Sequence, residues 1–138
     1  MLFSFLLKPL QLQEIQKLGA YFRTKYSDWK ITLLNDWHEE SGVVIREITH
    51  EGGGNILVFA VVSMPKETFD RFEAELKNLG ERSLGDHFLF AREDVKRESL
   101  EVFEEKGRFV RCSRFLVSGY PLTISEYFTE AGLACLQD

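Results

Sequence analysis

Three charged side chains fall on strand-like stretches where alternation would place apolar residues. In SGYPLTISEYF (118–128), Leu122, Ile124, Glu126 and Phe128 share one face of an extended chain. In GVVIREITH (42–50), Arg46 shares a face with Val44 and Ile48. The opposite face carries Val43, Ile45 and Glu47, so Arg46 lies either in the interior or on a face covered by a loop. In RFVRCSRFLVSG (108–119), Arg111 shares a face with Ser113, Phe115 and Val117. An ionised side chain in an apolar interior is costly unless it is paired or hydrogen-bonded. Spacing alone leaves three readings open. Glu126 forms a structural ion pair with Arg46 or Arg111; it reaches solvent at a sheet edge; or these groups line a pocket. The pocket has a definite chemistry. Guanidinium groups grip a carboxylate with two parallel hydrogen bonds. A carboxyl group across the pocket can hold a hydroxyl, or give and take a proton. Such a pocket suits a small, planar, anionic molecule with a hydroxyl at its far end.

Other candidates carry less. EGGGN (51–55) lacks the Gly-Lys-Ser/Thr of a phosphate loop and sits in a predicted hairpin, so it reads as a turn. Cys112 has no histidine at a recognisable spacing and reads as a small filler. His87 beside Asp86 reads as a surface histidine, and Ser113 and Ser125 show no triad grammar. Two cysteines, Cys112 and Cys135, and three scattered histidines argue against a disulfide framework or a structural zinc.

The elements that must position these side chains read as follows. Leu12, Ile15, Leu18 and Phe22 recur at helical spacing, predicting a helix over 11–25. Strands are predicted over 30–34, 43–49 and 56–64, with the polar DWHEESG (36–42) as a connector. The hairpin across EGGGN is expected to use a loop longer than the tightest type. Phe69, Phe72, Leu76 and Leu79 form the apolar stripe of a helix over 66–79, with Gly80 as its stop. SLGDHFLF is a short turn or helix. Strands over 95–103, 109–117 and 122–128 follow, the last two joined by Ser118-Gly119-Tyr120-Pro121. The fold class is α+β: about six strands, mostly joined by short turns, and two main helices in one domain over 1–138.

A length of 138 residues gives one domain a real core but leaves little for a second. The net charge of −5 argues against a nucleic-acid partner, which usually calls for a basic patch. MLFSFLLKPL is interrupted by Lys8 and Pro9, too short to span a bilayer and without a cleavage signature. It reads as a segment packed on a cytoplasmic domain, a monomer or weak oligomer without a membrane span.

The ordered series IREITHEGGGNILVFAVVSMP, SLGDHFLF and VRCSRFLVSGYPLTISEYF resembles the chorismate pyruvate-lyase family over roughly 43–128. The resemblance implies a single antiparallel sheet of six strands with helices against it and an internal site closed by flaps. It implies cofactor-free, metal-free conversion of chorismate to 4-hydroxybenzoate and pyruvate, at the entry to ubiquinone synthesis. The family's carboxylate-binding arginine falls on Arg46, its Leu-Gly turn on Leu84, and the glutamate facing the ligand hydroxyl on Glu126. Arg111 matches a family arginine. Arg46 and Glu126 are thus the implied catalytic pair, with Leu84 and Arg111 as further binding residues. The chain departs from the family in a short stretch before Val43, and in FAVVS, where a family arginine is replaced. The same architecture is similar to the effector-sensing domains of bacterial transcription regulators, which bind small acids without chemistry. That alternative differs from the enzyme in turnover, not in ligand class.

Overall fold

The computed structural model describes residues 18–137. The apolar start and the first part of the helix expected over 11–25 lie outside the described residues. The chain order is α1 (Leu18–Lys25), β1 (Lys30–Glu40), β2 (Val43–Gly52), β3 (Asn55–Pro65), α2 (Lys66–Arg71), α3 (Glu73–Lys77), a π-helical turn (Gly85–Leu89), β4 (Val95–Glu105), β5 (Arg108–Val117), β6 (Tyr120–Phe128) and α4 (Glu130–Gln137). The strands form one sheet in the order β1-β2-β3-β6-β5-β4, every neighbour antiparallel. The α+β expectation with six strands holds.

Four tight hairpins build this sheet. At Ser41-Gly42, Gly53-Gly54, Lys106-Gly107 and Ser118-Gly119 both central residues have positive φ. That is the pattern of a type I′ turn, whose twist matches that of the flanking strands. The EGGGN hairpin is therefore of the tightest kind, contrary to the longer loop expected: Glu51 and Gly52 continue β2, and Asn55 opens β3. The polar connector DWHEESG also proves to be mostly strand, because β1 runs to Glu40. As an edge strand it tolerates polar residues on its open side. Register shifts around Asn35 let Trp37 turn back to the core, where its indole donates to the Leu76 carbonyl at 3.0 Å.

The connection from β3 to β4 lies over one face of the sheet. The helix expected over 66–79 is broken at Phe72 (φ −119°, ψ 20°), whose ring packs edge-on against Phe88 and Tyr120. Gly80 ends the segment with φ 59°, as expected. The main apolar cluster joins Phe69, Phe72, Leu76, Leu79, Leu84 and Phe88 to Val44, Val62, Met64 and Leu122 on the sheet. A second cluster joins Leu18 and Phe22 of α1 to Val58, Phe128 and α4. Helix α4 was not anticipated from sequence. Thr129 caps it, accepting the Gly132 N–H at 3.0 Å, while its hydroxyl hydrogen faces the Ile56 and Leu57 carbonyls. Among the described residues no helix is long and apolar enough to cross a membrane.

Candidate functional site

Strand register dictates which side chains meet beneath the helices. Arg46 opposes Val62, Val62 opposes Ile124, and Ile124 opposes Ser113. In the neighbouring row Ile48 opposes Ala60, Ala60 opposes Glu126, and Glu126 opposes Arg111. These two rows form an apolar floor with charge at set positions. Leu84, Gly85, Asp86, Leu89 and Phe90 of the turn region, with Leu18 and Gly19 of α1, complete the enclosure. The cavity is partly open and measures about 60 Å³, room for several water-sized groups. Arg46, Leu84, Arg111 and Glu126 all line it.

Glu126 pairs with Arg111, not Arg46. Arg111 Nε donates to Glu126 Oε1 at 2.6 Å, and Nη2 donates to Oε2 at 3.1 Å. Both side chains are buried, at 3% and 10% exposure. Facing positions on antiparallel neighbours bring them together, and the bidentate geometry offsets the desolvation of each charge.

Arg46 stands on β2, two strands from Glu126, about 10 Å across the sheet by strand spacing. Its Nη2 donates to the Gly80 carbonyl at 2.5 Å and the Arg82 carbonyl at 3.3 Å. The nearest carboxylate, Asp36, lies at 4.0 Å and is largely exposed. Its Nε and Nη1 are buried with no hydrogen-bond partner. Burial pushes the guanidinium's pKa down, and Asp36 opposes this in part. A buried cation with two idle donors is a ready carboxylate anchor.

The cavity also holds groups that the sequence reading did not select. His50 continues the Val44, Arg46, Ile48 alternation by two residues, so counting one step further along β2 would have found it. Trp29 Nε1 donates to its Nδ1 at 3.2 Å, which leaves the neutral ring's proton on Nε2. Burial lowers its pKa to about 4, partly offset by the Glu126 and Asp86 charges, while Arg111 reinforces the drop. Arg97 was hidden between Lys96 and Glu98 in the strand expected over 95–103, where a run of charges gives no sign of which face turns inward. Ser113 was set aside for want of a triad, yet it lies on the floor beside Arg111. Asp86 faces inward from the π turn, its Oδ2 3.6 Å from Arg23 Nη2. Cys112 and Ser125 lie together on the sheet's other face, 3.8 Å apart, and His87 is exposed. Among the described residues no group of three or more metal-ligating side chains comes together.

A one-layer antiparallel sheet whose helices roof an arginine-rich, glutamate-bearing cavity defines the class of this protein as α+β. The chain belongs to the chorismate lyase family, whose sequence model matches residues 14–133. It is 31% identical over 93 residues to the chorismate pyruvate-lyase of Escherichia coli O1:K1 / APEC, covering 67% of this chain and 56% of that protein. It is 29% identical over 84 residues to the chorismate pyruvate-lyase of Pectobacterium carotovorum, covering 61% of this chain and 47% of that one. It is 27% identical over 144 aligned positions to a probable chorismate pyruvate-lyase of Psychromonas ingrahamii, covering 86% and 76%. In the first two comparisons the match spans about half the length of the relative.

Proposed function

We propose that this chain is a single domain that converts chorismate to 4-hydroxybenzoate and pyruvate, as a cytoplasmic enzyme at the entry to ubiquinone synthesis. The observation that carries the proposal is spatial. Arg46, Leu84, Arg111 and Glu126, which the family resemblance implies as site residues, line one cavity although they come from four different segments. In the reaction the ring C–O bond to the enolpyruvyl group breaks and the neighbouring ring carbon loses its hydrogen. The ring becomes aromatic, and the departing three-carbon unit takes up a proton to give pyruvate. Aromatisation supplies the driving force, so the protein's part is chiefly to hold one pose.

Arg46 holds the ring carboxylate through its idle Nη1. Glu126, fixed by Arg111, meets the hydroxyl end and serves the proton transfers there. Leu84, at the head of the π turn, and the Ala60, Ile48 and Ile124 floor bracket the ring. Nothing in the site favours the sensor alternative over this one.

Ligand-dependent melting tests the site directly. A ligand that binds only the folded chain stabilises it by about 2.7 kcal/mol at a hundred times its dissociation constant. 4-Hydroxybenzoate should raise the melting temperature most, benzoate less for want of a hydroxyl at Glu126, and 4-hydroxybenzyl alcohol least for want of a carboxylate at Arg46. Three null shifts at millimolar concentration would refute the assignment.

A further inference from the structure

We propose that Arg97 is a second anion-binding group of the cavity, which makes the site selective for a ring bearing two carboxylates over a ring bearing one. The inference rests on the chorismate reading above and assigns it a residue that neither the sequence pattern nor the family resemblance selects.

The local structure aims Arg97 inward. It opposes Phe115 on β5, and the register shifts immediately after it, before Ser99. Such an irregularity re-aims side chains and recurs beside active sites. The guanidinium lies 5.1 Å from the centroid of the Phe115 ring, and Nη2 donates to the neutral Ser113 hydroxyl at 3.1 Å. Its Nε is buried and has no hydrogen-bond partner. Among the described residues no carboxylate forms an ion pair with it. Burial and the adjacent Arg111 cation both push its pKa down, which only Glu126 opposes. A cation held in this way lacks a counter-ion, and a ligand carboxylate supplies one.

The order of groups across the sheet supplies the second line of argument. Arg46 stands on β2, Glu126 on β6, Arg111 on β5 and Arg97 on β4. Arg111 is committed to Glu126, so the cations with idle donors are those at the two ends. Chorismate presents a complementary order: a ring carboxylate, then the hydroxyl and reacting carbons, and the enolpyruvyl carboxylate beyond. Four strand spacings separate β2 from β4, roughly 19 Å between backbones, and both arginine side chains reach into the same cavity.

The test compares two ligands on the wild type, Arg97→Gln and Arg97→Lys. The KM for chorismate and the inhibition constant of 4-hydroxybenzoate, which has one carboxylate, are measured for each. Arg97→Gln should raise the chorismate KM by about tenfold or more, the scale of a lost charge-assisted hydrogen bond. The 4-hydroxybenzoate constant should stay essentially unchanged. Arg97→Lys keeps the charge but loses the planar fork, and should fall between the two for chorismate alone. If both constants rise together, Arg97 supports the cavity wall and the proposal is overturned. It is equally overturned if neither constant moves. A wild type that neither turns over chorismate nor binds 4-hydroxybenzoate would instead sink the underlying functional reading, and this one with it.

Discussion

Glu126 and Arg111 behave as one unit, and that shapes what substitutions at either will do. Glu126→Gln keeps the shape and one acceptor but leaves Arg111 buried beside a neutral partner. Turnover should fall by about a hundredfold or more if Glu126 moves protons. Stability should fall as well, within the roughly 3–5 kcal/mol range for a buried pair that loses one member. The double variant Glu126→Leu/Arg111→Met should regain much of that stability and none of the activity, a split readable by parallel denaturation and rate measurements. His50 gives a pH signature. Its pKa is about 4 folded, against an ordinary 6.5, so the unfolded chain binds the extra proton first. Its contribution is intact above about pH 6.5 and is lost as pH falls toward 4, by up to about 1.4 kcal/mol per pH unit. His50→Phe should flatten urea-midpoint profiles across that window. The sequence disclosed Glu126 as an anomaly, because a carboxylate between Ile124 and Phe128 breaks the alternation. It did not disclose the partner, since choosing between Arg46 and Arg111 needs the order of strands.

The elements were legible where local chemistry fixes them. The strands flanking EGGGN could be read as a hairpin, and the inward parity of β6 followed from its apolar alternation, whereas that of β2 stayed open because both its faces carry apolar residues. The edge strand β1 was read short because its outer half is polar, and polarity at a sheet edge carries no signal of pairing. Helix α4 was missed because eight residues carry little periodicity, and its stability comes from tertiary packing. That packing is close at Gly132, where an added Cβ would sit 2.1 Å from the Leu57 carbonyl oxygen. Gly132→Ala should therefore destabilise the fold by about 1–3 kcal/mol, the cost of overpacking. The loss of Tm should come with little change in the ligand affinity of the folded protein. Thr129→Ala should cost about 1 kcal/mol by removing the cap. Either variant matching the wild type in chemical denaturation would contradict the view that α4 is clamped to β3.

At the scale of the whole molecule, one sheet carries a charged row across its middle, and helices from both halves of the chain roof it. The β3-to-β4 connection, with its two helices and π turn, places Leu84 and Asp86 over the floor. Arg46 ties that connection down through the Gly80 and Arg82 carbonyls. Arg46→Met should thus lose carboxylate binding and also loosen the turn, with a stability loss of about 1–3 kcal/mol for the unmade hydrogen bonds. Arg46→Lys should restore part of the stability and less of the binding, since it lacks the fork. The central claim is that this cavity performs the lyase reaction. The most direct measurement is to incubate the purified chain with chorismate and quantify 4-hydroxybenzoate and pyruvate together over time, beside Glu126→Gln. The account predicts the two products in equal amounts from the wild type, at a rate well above spontaneous breakdown and strongly reduced in the variant. Product formation no faster than in buffer, or equal rates from wild type and Glu126→Gln, would contradict it.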